Sequence, residues 1–277
     1  MRNVTDTRPS LVELLRTLHL PSIRDGYEEV ARTATAEGLS YEQFLWNLCD
    51  RECTDRFNNR TKKLLQESRL PLEKSWETFE QDHLPLNLRQ QLTALQDGSF
   101  LDRTENVLAF GNPGSGKTHL LCALSQQLIR LGRRILYRPC SLLVQDLLAA
   151  KRDLSLSKLI KHLSLYEALL IDDIGYVQQT RAEMEVLFTL LAERYERTSV
   201  LITSNLPFSG WETIFKDPMT TAAAVDRLVH HSVILELNLP SYRIAAARKR
   251  SGGSDADDAL KRNVTLQTTG GLDHAAG

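Results

Sequence analysis

The sequence predicts an α/β fold: a parallel sheet with helices on both faces, preceded by a small all-helical domain. Three observations carry that expectation. Residues 11–64 repeat apolar side chains at helical spacing. From residue 106 onward, short apolar runs alternate with amphipathic helices of crossover length. The first of those runs, NVLAF, leads straight into Gly111-Asn112-Pro113-Gly114-Ser115-Gly116-Lys117-Thr118, which opens the next helix.

The helical part reads as three segments. Leu11, Leu14, Leu15, Leu18 and Leu20 give the first an apolar stripe. Pro21 opens the second, where a missing amide proton costs nothing. Ser40 caps a third that runs through YEQFLWNLCDRECTDRFNNRTKKLLQES. Tyr41, Phe44, Trp46 and Phe57 follow its apolar pattern and are expected in the core. Pro71 and Pro85 interrupt the pattern, so residues 70–100 read as a linker with short helices. The domains expected are therefore 1–69, helical; 70–100, linker; and 101–250, the α/β core.

Within the core, strands are expected at 106–110, 134–139, 166–173, 199–205 and 232–237. The helix beginning KTHLLCALSQQLIRLG closes at Gly132, and SLLVQDLLAA begins on a Ser141 cap. Two more helices cover 181–196 and 221–231. Residues 251–277 are rich in Gly, Ser, Thr and Asp, with little to bury, and read as a disordered tail.

Bulk properties exclude several classes. A chain of 277 residues with 42% hydrophobic and 25% charged residues can bury a sizeable core. A net charge of -1 gives no overall field for nucleic acid, so any such contact must come from local patches. No apolar run approaches 18 residues and MRNVTDTRPS has no signal-like core, so a cytoplasmic protein with no membrane partner is expected. Cys49 and Cys53 are followed by no second pair at zinc-site spacing, which favours reduced thiols.

Gly111 to Thr118 fits G-x-x-x-x-G-K-[ST] in the strand–loop–helix setting the motif requires. The glycines let backbone amides approach phosphate, and the helix amino end adds a favourable dipole. Lys117 reaches the terminal phosphates and Thr118 offers its hydroxyl to Mg²⁺. The nucleotide-holding set is thus Gly111, Asn112, Pro113, Gly114, Ser115, Gly116, Lys117, Thr118 and the adjoining His119. ATP and Mg²⁺ are the cofactors implied.

Leu169-Leu170-Ile171-Asp172-Asp173 ends a strand in two acids. Asp172 suits the metal and Asp173 suits polarising the attacking water, though adjacent carboxylates can also repel and stay solvated. Asn205, closing the next strand, can hold that water or the terminal phosphate, or simply turn the chain. Arg227 can bring positive charge to the transition state from a neighbouring subunit, or pair with an acid such as Asp226.

These residues, with LHLPSIRDGYEEV, LSYEQFLWNL, LLIDDIGY, LLAERYERTSVLITSNLPFSGWETIF and DRLVHHSVILELNLPSYR, resemble the IstB family. These are ATP-binding helpers encoded beside the transposase of bacterial insertion sequences, AAA+ relatives of the DnaC helicase loader. The resemblance runs from about Leu11 to Arg243. It implies a Walker A loop at Gly111 to Thr118, a Walker B magnesium acid at Asp172 and a catalytic acid at Asp173. It further implies a first sensor at Asn205 and an arginine finger at Arg227 acting in trans, with Arg243 in the family's SYR segment. The fold implied is an AAA+ core. Little chain follows the last strand, so no carboxy-terminal lid domain is expected.

The sequence departs from many relatives at Asp173, where Glu is common, at Thr198, where Arg is common, and at Leu239-Pro240. Asp is one methylene shorter than Glu, which points to slow turnover. The resemblance implies an ATP-dependent homo-oligomer on duplex DNA, without much sequence choice, and a cognate transposase as partner. Arg51, Arg56, Arg60, Lys62, Lys63, Arg69 and Lys74 are candidate phosphate contacts, diluted by Glu52, Asp55, Glu67 and Glu73. Arg133, Arg134, Lys151 and Arg152 add candidates in the core. Two other readings stand beside this one: a helicase loader of the DnaC type, and an ATP-binding DNA scaffold with little hydrolysis.

Overall fold

The computed structural model describes residues 7–81, 84–175, 180–211 and 218–237. Contacts divide the chain into two compact units, Met1–Arg69 and Leu70–Gly277.

The first unit is three helices: α1 (Thr7–Thr17), α2 (Pro21–Glu37) and α3 (Tyr41–Ser68). Ser40 caps α3 as its sequence implies, accepting from Gln43 N while the Gln43 side chain accepts from Ser40 N. Glu52 fills the gap left at the start of α2, where Leu20 offers no side-chain cap. Its buried carboxylate accepts from Ser22 N and Ile23 N at 2.9 and 3.1 Å and from Arg56 Nε at 2.8 Å. The small core is Leu15, Ile23 and Leu48, with Leu20, Tyr27, Val30 and Phe44 against it.

Two expectations fail in this unit. Leu11, Leu14 and Leu18 are exposed, so only Leu15 and Leu20 of the first leucine stripe face the core. Tyr41, Trp46 and Phe57 are 94%, 66% and 51% exposed, leaving Phe44 as the one aromatic of the four that packs inward. A core this small has no room for more large rings.

In the second unit, residues 70–100 hold a 3₁₀ turn at Trp76–Thr78, then α4 (Leu86–Leu95) and the start of α5 (Ser99–Asp102). Leu84, Leu88, Leu92, Leu95 and Phe100 are buried there, so this stretch is packed chain and not a free spacer. The core follows as β1 (Asn106–Gly111), α6 (Lys117–Arg130), β2 (Ile135–Pro139), α7 (Cys140–Arg152), α8 (Leu156–Leu163) and β3 (Ala168–Ile174). It ends with α9 (Arg181–Arg194), β4 (Ser199–Ser204), α10 (Pro218–Val229) and β5 (Ser232–Leu237). The strands form one parallel sheet in the order β2-β3-β4-β1-β5. Val107, Leu108 and Ala109 of β1, and Ala168, Leu169, Leu170 and Ile171 of β3, are wholly buried, as strands covered on both faces require.

Ser141 is not a cap. Pro139 takes the N-cap position of α7, which places Ser141 inside the first turn. Helix α8, absent from the sequence expectation, buries Ile160 and Leu163 of its Leu156, Leu159, Ile160, Leu163 stripe. Arg243, Leu239-Pro240, the tail at 251–277 and the stretch where a lid would follow β5 lie outside the described residues.

Candidate functional site: the phosphate loop and its acids

The sheet order decides the site. β4 lies between β1, which feeds the phosphate loop, and β3, which carries the acids. Gly111, Asp172 and Asn205 therefore gather at the carboxyl edge of three neighbouring strands, where ligands bind in open parallel sheets.

Gly111 approaches β5 so closely that a Cβ there would sit 2.3 Å from Leu237 O. Gly114 and Gly116 have φ of 83° and 95°, turns that side chains resist. A Cβ on Gly116 would also lie 3.2 Å from the Phe79 ring. Lys117 Nζ donates to Gly111 O at 2.8 Å and Asn112 O at 3.0 Å. Ser115 Oγ is buried with no partner among the described residues. A loop with an ammonium held by its own carbonyls and an orphaned hydroxyl fits a phosphate, which offers a charged acceptor to both.

Thr118 Oγ1 donates to Asp172 Oδ1 at 2.8 Å. Thr203 Oγ1, on the interposed strand, donates to the same oxygen at 2.6 Å and accepts from Asp173 N at 2.7 Å. Tyr137, on the other flanking strand, donates its hydroxyl to Asp172 Oδ2 at 3.0 Å. Burial, then the Asp172 charge, holds the Tyr137 phenol well above its usual range, so it stays a donor. A hydroxyl and a fixed carboxylate together form the hard-oxygen donor set that suits Mg²⁺.

Asp173 sits in a bulge of the strand. β3 and β4 pair at Ile171↔Ile202 and again only at Ile174↔Ser204, so β3 carries one extra residue across Asp172 and Asp173. The bulge puts Asp173 at φ 59° and leaves it exposed, separating it from the buried Asp172. Asn205 follows β4, half-buried.

His119 turns towards the segment before the core. Its Nε2 lies 3.0 Å from both Thr78 Oγ1 and Ser75 O, and its ring meets Phe79 edge-on at 5.1 Å. Gln126, two turns on, donates to Lys74 O at 2.9 Å. Residues 71–79 thus run along α6 to the phosphate loop. Nothing local in the sequence marks a residue of this helix for so distant a neighbour.

Arg227 is not gathered with these residues. Its Nη1 donates to Ala223 O at 3.0 Å, and its guanidinium lies over the Phe188 ring of α9, 5.1 Å from the centroid. These contacts, and not the ion pair with Asp226 that the sequence allows, hold its side chain.

Comparison with known proteins gives the family. The profile of IstB-like ATP binding proteins matches residues 13–250. The chain belongs to that family. A Sinorhizobium fredii protein described as a putative insertion sequence ATP-binding protein is 40% identical over 271 residues, 96% of this chain and 91% of its own. An IS21 insertion-sequence protein of Pseudomonas aeruginosa, described likewise, is 34% identical over 236 residues, 85% of this chain and 89% of its own. Among solved structures, the DnaC helicase loader superposes with a TM-score of 0.52 at 15% identity, over 59% of this chain and 96% of its own. That likeness shows the P-loop AAA+ fold of this IstB-like chain. No described helix is long and apolar enough to cross a membrane.

The basic residues singled out for DNA divide. In the first unit, Arg56 is tied to Glu52 and His19 O, Arg51 lies 3.6 Å from Glu29 and Lys63 3.9 Å from Glu67, while Arg60 is exposed. In the second, Arg133 joins Asp102 and Glu167, Arg134 lies over Tyr166 and Lys151 meets Glu185. All four cysteines are free, Cys49 and Cys53 exposed and Cys122 and Cys140 buried. Burial pushes the Cys122 thiol up to about 12, so it stays protonated.

Proposed function

We propose that this chain is the ATP-dependent helper of a transposase: it binds ATP with Mg²⁺, assembles on duplex DNA and recruits or stimulates the transposase. It hydrolyses ATP to ADP and phosphate as it does so. The observation that carries the reading is the Thr118–Asp172 contact, which pairs the phosphate-loop hydroxyl with a buried acid two strands away. The printed descriptions of its relatives as insertion-sequence ATP-binding proteins support the setting.

In this reading the phosphate-loop amides and Lys117 hold the β- and γ-phosphates. Thr118 and Asp172 would hold Mg²⁺, which would neutralise phosphate charge when bound. Asp173 orients the attacking water and Asn205 contacts that water or the γ-phosphate. Arg227 serves the site of a neighbouring subunit, the role that membership of the family implies for it. Residues 1–69 form the DNA- or partner-binding domain, and the protein works in the cytoplasm.

The test is phosphate release by the full chain with Mg²⁺, duplex DNA and a cognate transposase, with Asp172→Asn as control. Release that rises with DNA and transposase, and is lost in the control, is expected. Binding to a purified replicative helicase with no response to the transposase would sink the helper reading. ATP binding without release under every condition would leave a scaffold.

A further inference from the structure

At the opposite edge of the sheet, the amino ends of β4, β1 and β5 lie side by side. The turn into β4 carries Glu196, and the turn into β5 carries His230 and His231. One ligand atom from each of these three residues lies within 4.8 Å of the other two. From this geometry we propose that Glu196, His230 and His231 bind a divalent transition-metal ion of the Zn²⁺ class.

Three features support the site. First, the two turns are fixed to one another by the buried Asn106 at the start of β1. Its Oδ1 accepts from Val200 N at 2.9 Å, its Nδ2 donates to Leu228 O at 3.1 Å, and its backbone N donates to His231 O at 2.7 Å. The Glu-bearing and His-bearing turns are thus held at a set distance by one residue. Second, His230 Nδ1 lies 3.1 Å from Tyr195 Oη. A metal-binding imidazole gives its second nitrogen to a hydrogen-bond acceptor, and with Nδ1 on the Tyr195 hydroxyl, Nε2 is the nitrogen of His230 that would bind. Third, the imidazole rings of His230 and His231 meet edge-on at 4.2 Å, and all three ligand side chains are exposed.

A tetrahedral ion with bonds of about 2.1 Å needs its ligands about 3.4 Å apart, within reach of small side-chain rotations. Two imidazoles and one carboxylate favour Zn²⁺, Cu²⁺, Ni²⁺ or Co²⁺ over Mg²⁺, so the site does not compete for the ion of the phosphate loop. The fourth position stays with solvent. The bound ion would clamp the end of α9 to the end of α10, the two helices that meet where Arg227 covers Phe188. This proposal does not depend on the function argued above.

The test uses the full chain, stripped with a chelator and titrated with Co²⁺ as an optical probe and with Zn²⁺ by calorimetry in excess Mg²⁺. One ion per chain is expected, with visible Co²⁺ bands and no thiolate charge-transfer band. His230→Ala and His231→Ala should each weaken binding at least about 10-fold, and Tyr195→Phe by about 10-fold as a loss of the outer partner. Cys49→Ser with Cys53→Ser should leave binding unchanged. Circular dichroism checks that each variant keeps its fold. Undiminished binding in either histidine variant, loss in the cysteine variant, or no saturable binding would overturn the proposal.

Discussion

Asp172 shares its Oδ1 between two hydroxyls from different elements, Thr118 on α6 and Thr203 on β4, at 2.8 and 2.6 Å. Tyr137 closes the other oxygen from β2. The acid is buried, so each donor offsets part of the cost of removing a charge from water. Its position is thereby set before any nucleotide arrives.

Removing the donors separately should have unequal effects. Tyr137→Phe deletes one hydrogen bond to a charged group and should cost about 1.5–3 kcal/mol. Thr203→Val deletes a donor to Asp172 and also leaves Asp173 N without its acceptor, so it should cost more. Denaturant titration of the two variants checks the order. Equal losses would mean that the Asp173 N contact adds nothing to stability.

The bulge at Asp173 separates shape from chemistry. Its left-handed φ suits Asp and Asn and strains longer side chains. Asp173→Asn should keep the melting temperature while phosphate release falls on the order of 100-fold, the loss expected of a general base. Asp173→Glu restores the longer acid but should lower stability by about 1 kcal/mol. Thermal melts and release assays on the pair test both halves. Unchanged release in the Asn variant would remove Asp173 from catalysis.

The loop and the acids are legible in the sequence because each is a local pattern: glycines before a helix, and apolar residues ending in carboxylates. Ser40 is legible too, since its partner Gln43 is three residues away. Tyr137 and Thr203 are not, because they matter only when β2 and β4 flank β3. Strand order is a long-range property, and the chain order of the strands does not contain it. Glu52 reads as one acid among basic residues for the same reason: Ser22 and Ile23, which it caps, lie some thirty positions earlier. The exposed Tyr41, Trp46 and Phe57 mislead because helical spacing gives a face and not its occupant.

Arg194 makes a structural prediction. It is 1% exposed and donates to Leu163 O, Tyr166 O and Ser199 O at 3.0, 3.1 and 2.9 Å, joining α8, the turn before β3 and the start of β4. Burial pulls its guanidinium down to about 10, yet three carbonyl acceptors favour the charged form. Arg194→Ala should destabilise the second unit by about 3–5 kcal/mol, because three carbonyls lose their donor in a dry interior. Arg194→Lys should recover only part, having no planar fork to reach all three. A denaturant midpoint unchanged in the Ala variant would contradict this.

Arg227 distinguishes a site within one chain from a site between two. Its guanidinium is held over Phe188 and against Ala223 O, contacts worth about 0.5–1 kcal/mol for a partly exposed pair. Arg227→Ala should therefore change stability little, while phosphate release falls on the order of 1,000-fold if the residue acts as a finger. A mixture decides the geometry. Arg227→Ala keeps an intact phosphate loop and lacks the finger, whereas Asp172→Asn keeps the finger and lacks the metal acid. If the finger works in trans, the two inactive variants combined on DNA should regain a measurable fraction of release, because some interfaces then join one intact half from each. If it works within its own chain, every site in the mixture stays broken and no release returns. Release measured against mixing ratio, peaking near equal amounts, is the expected signature.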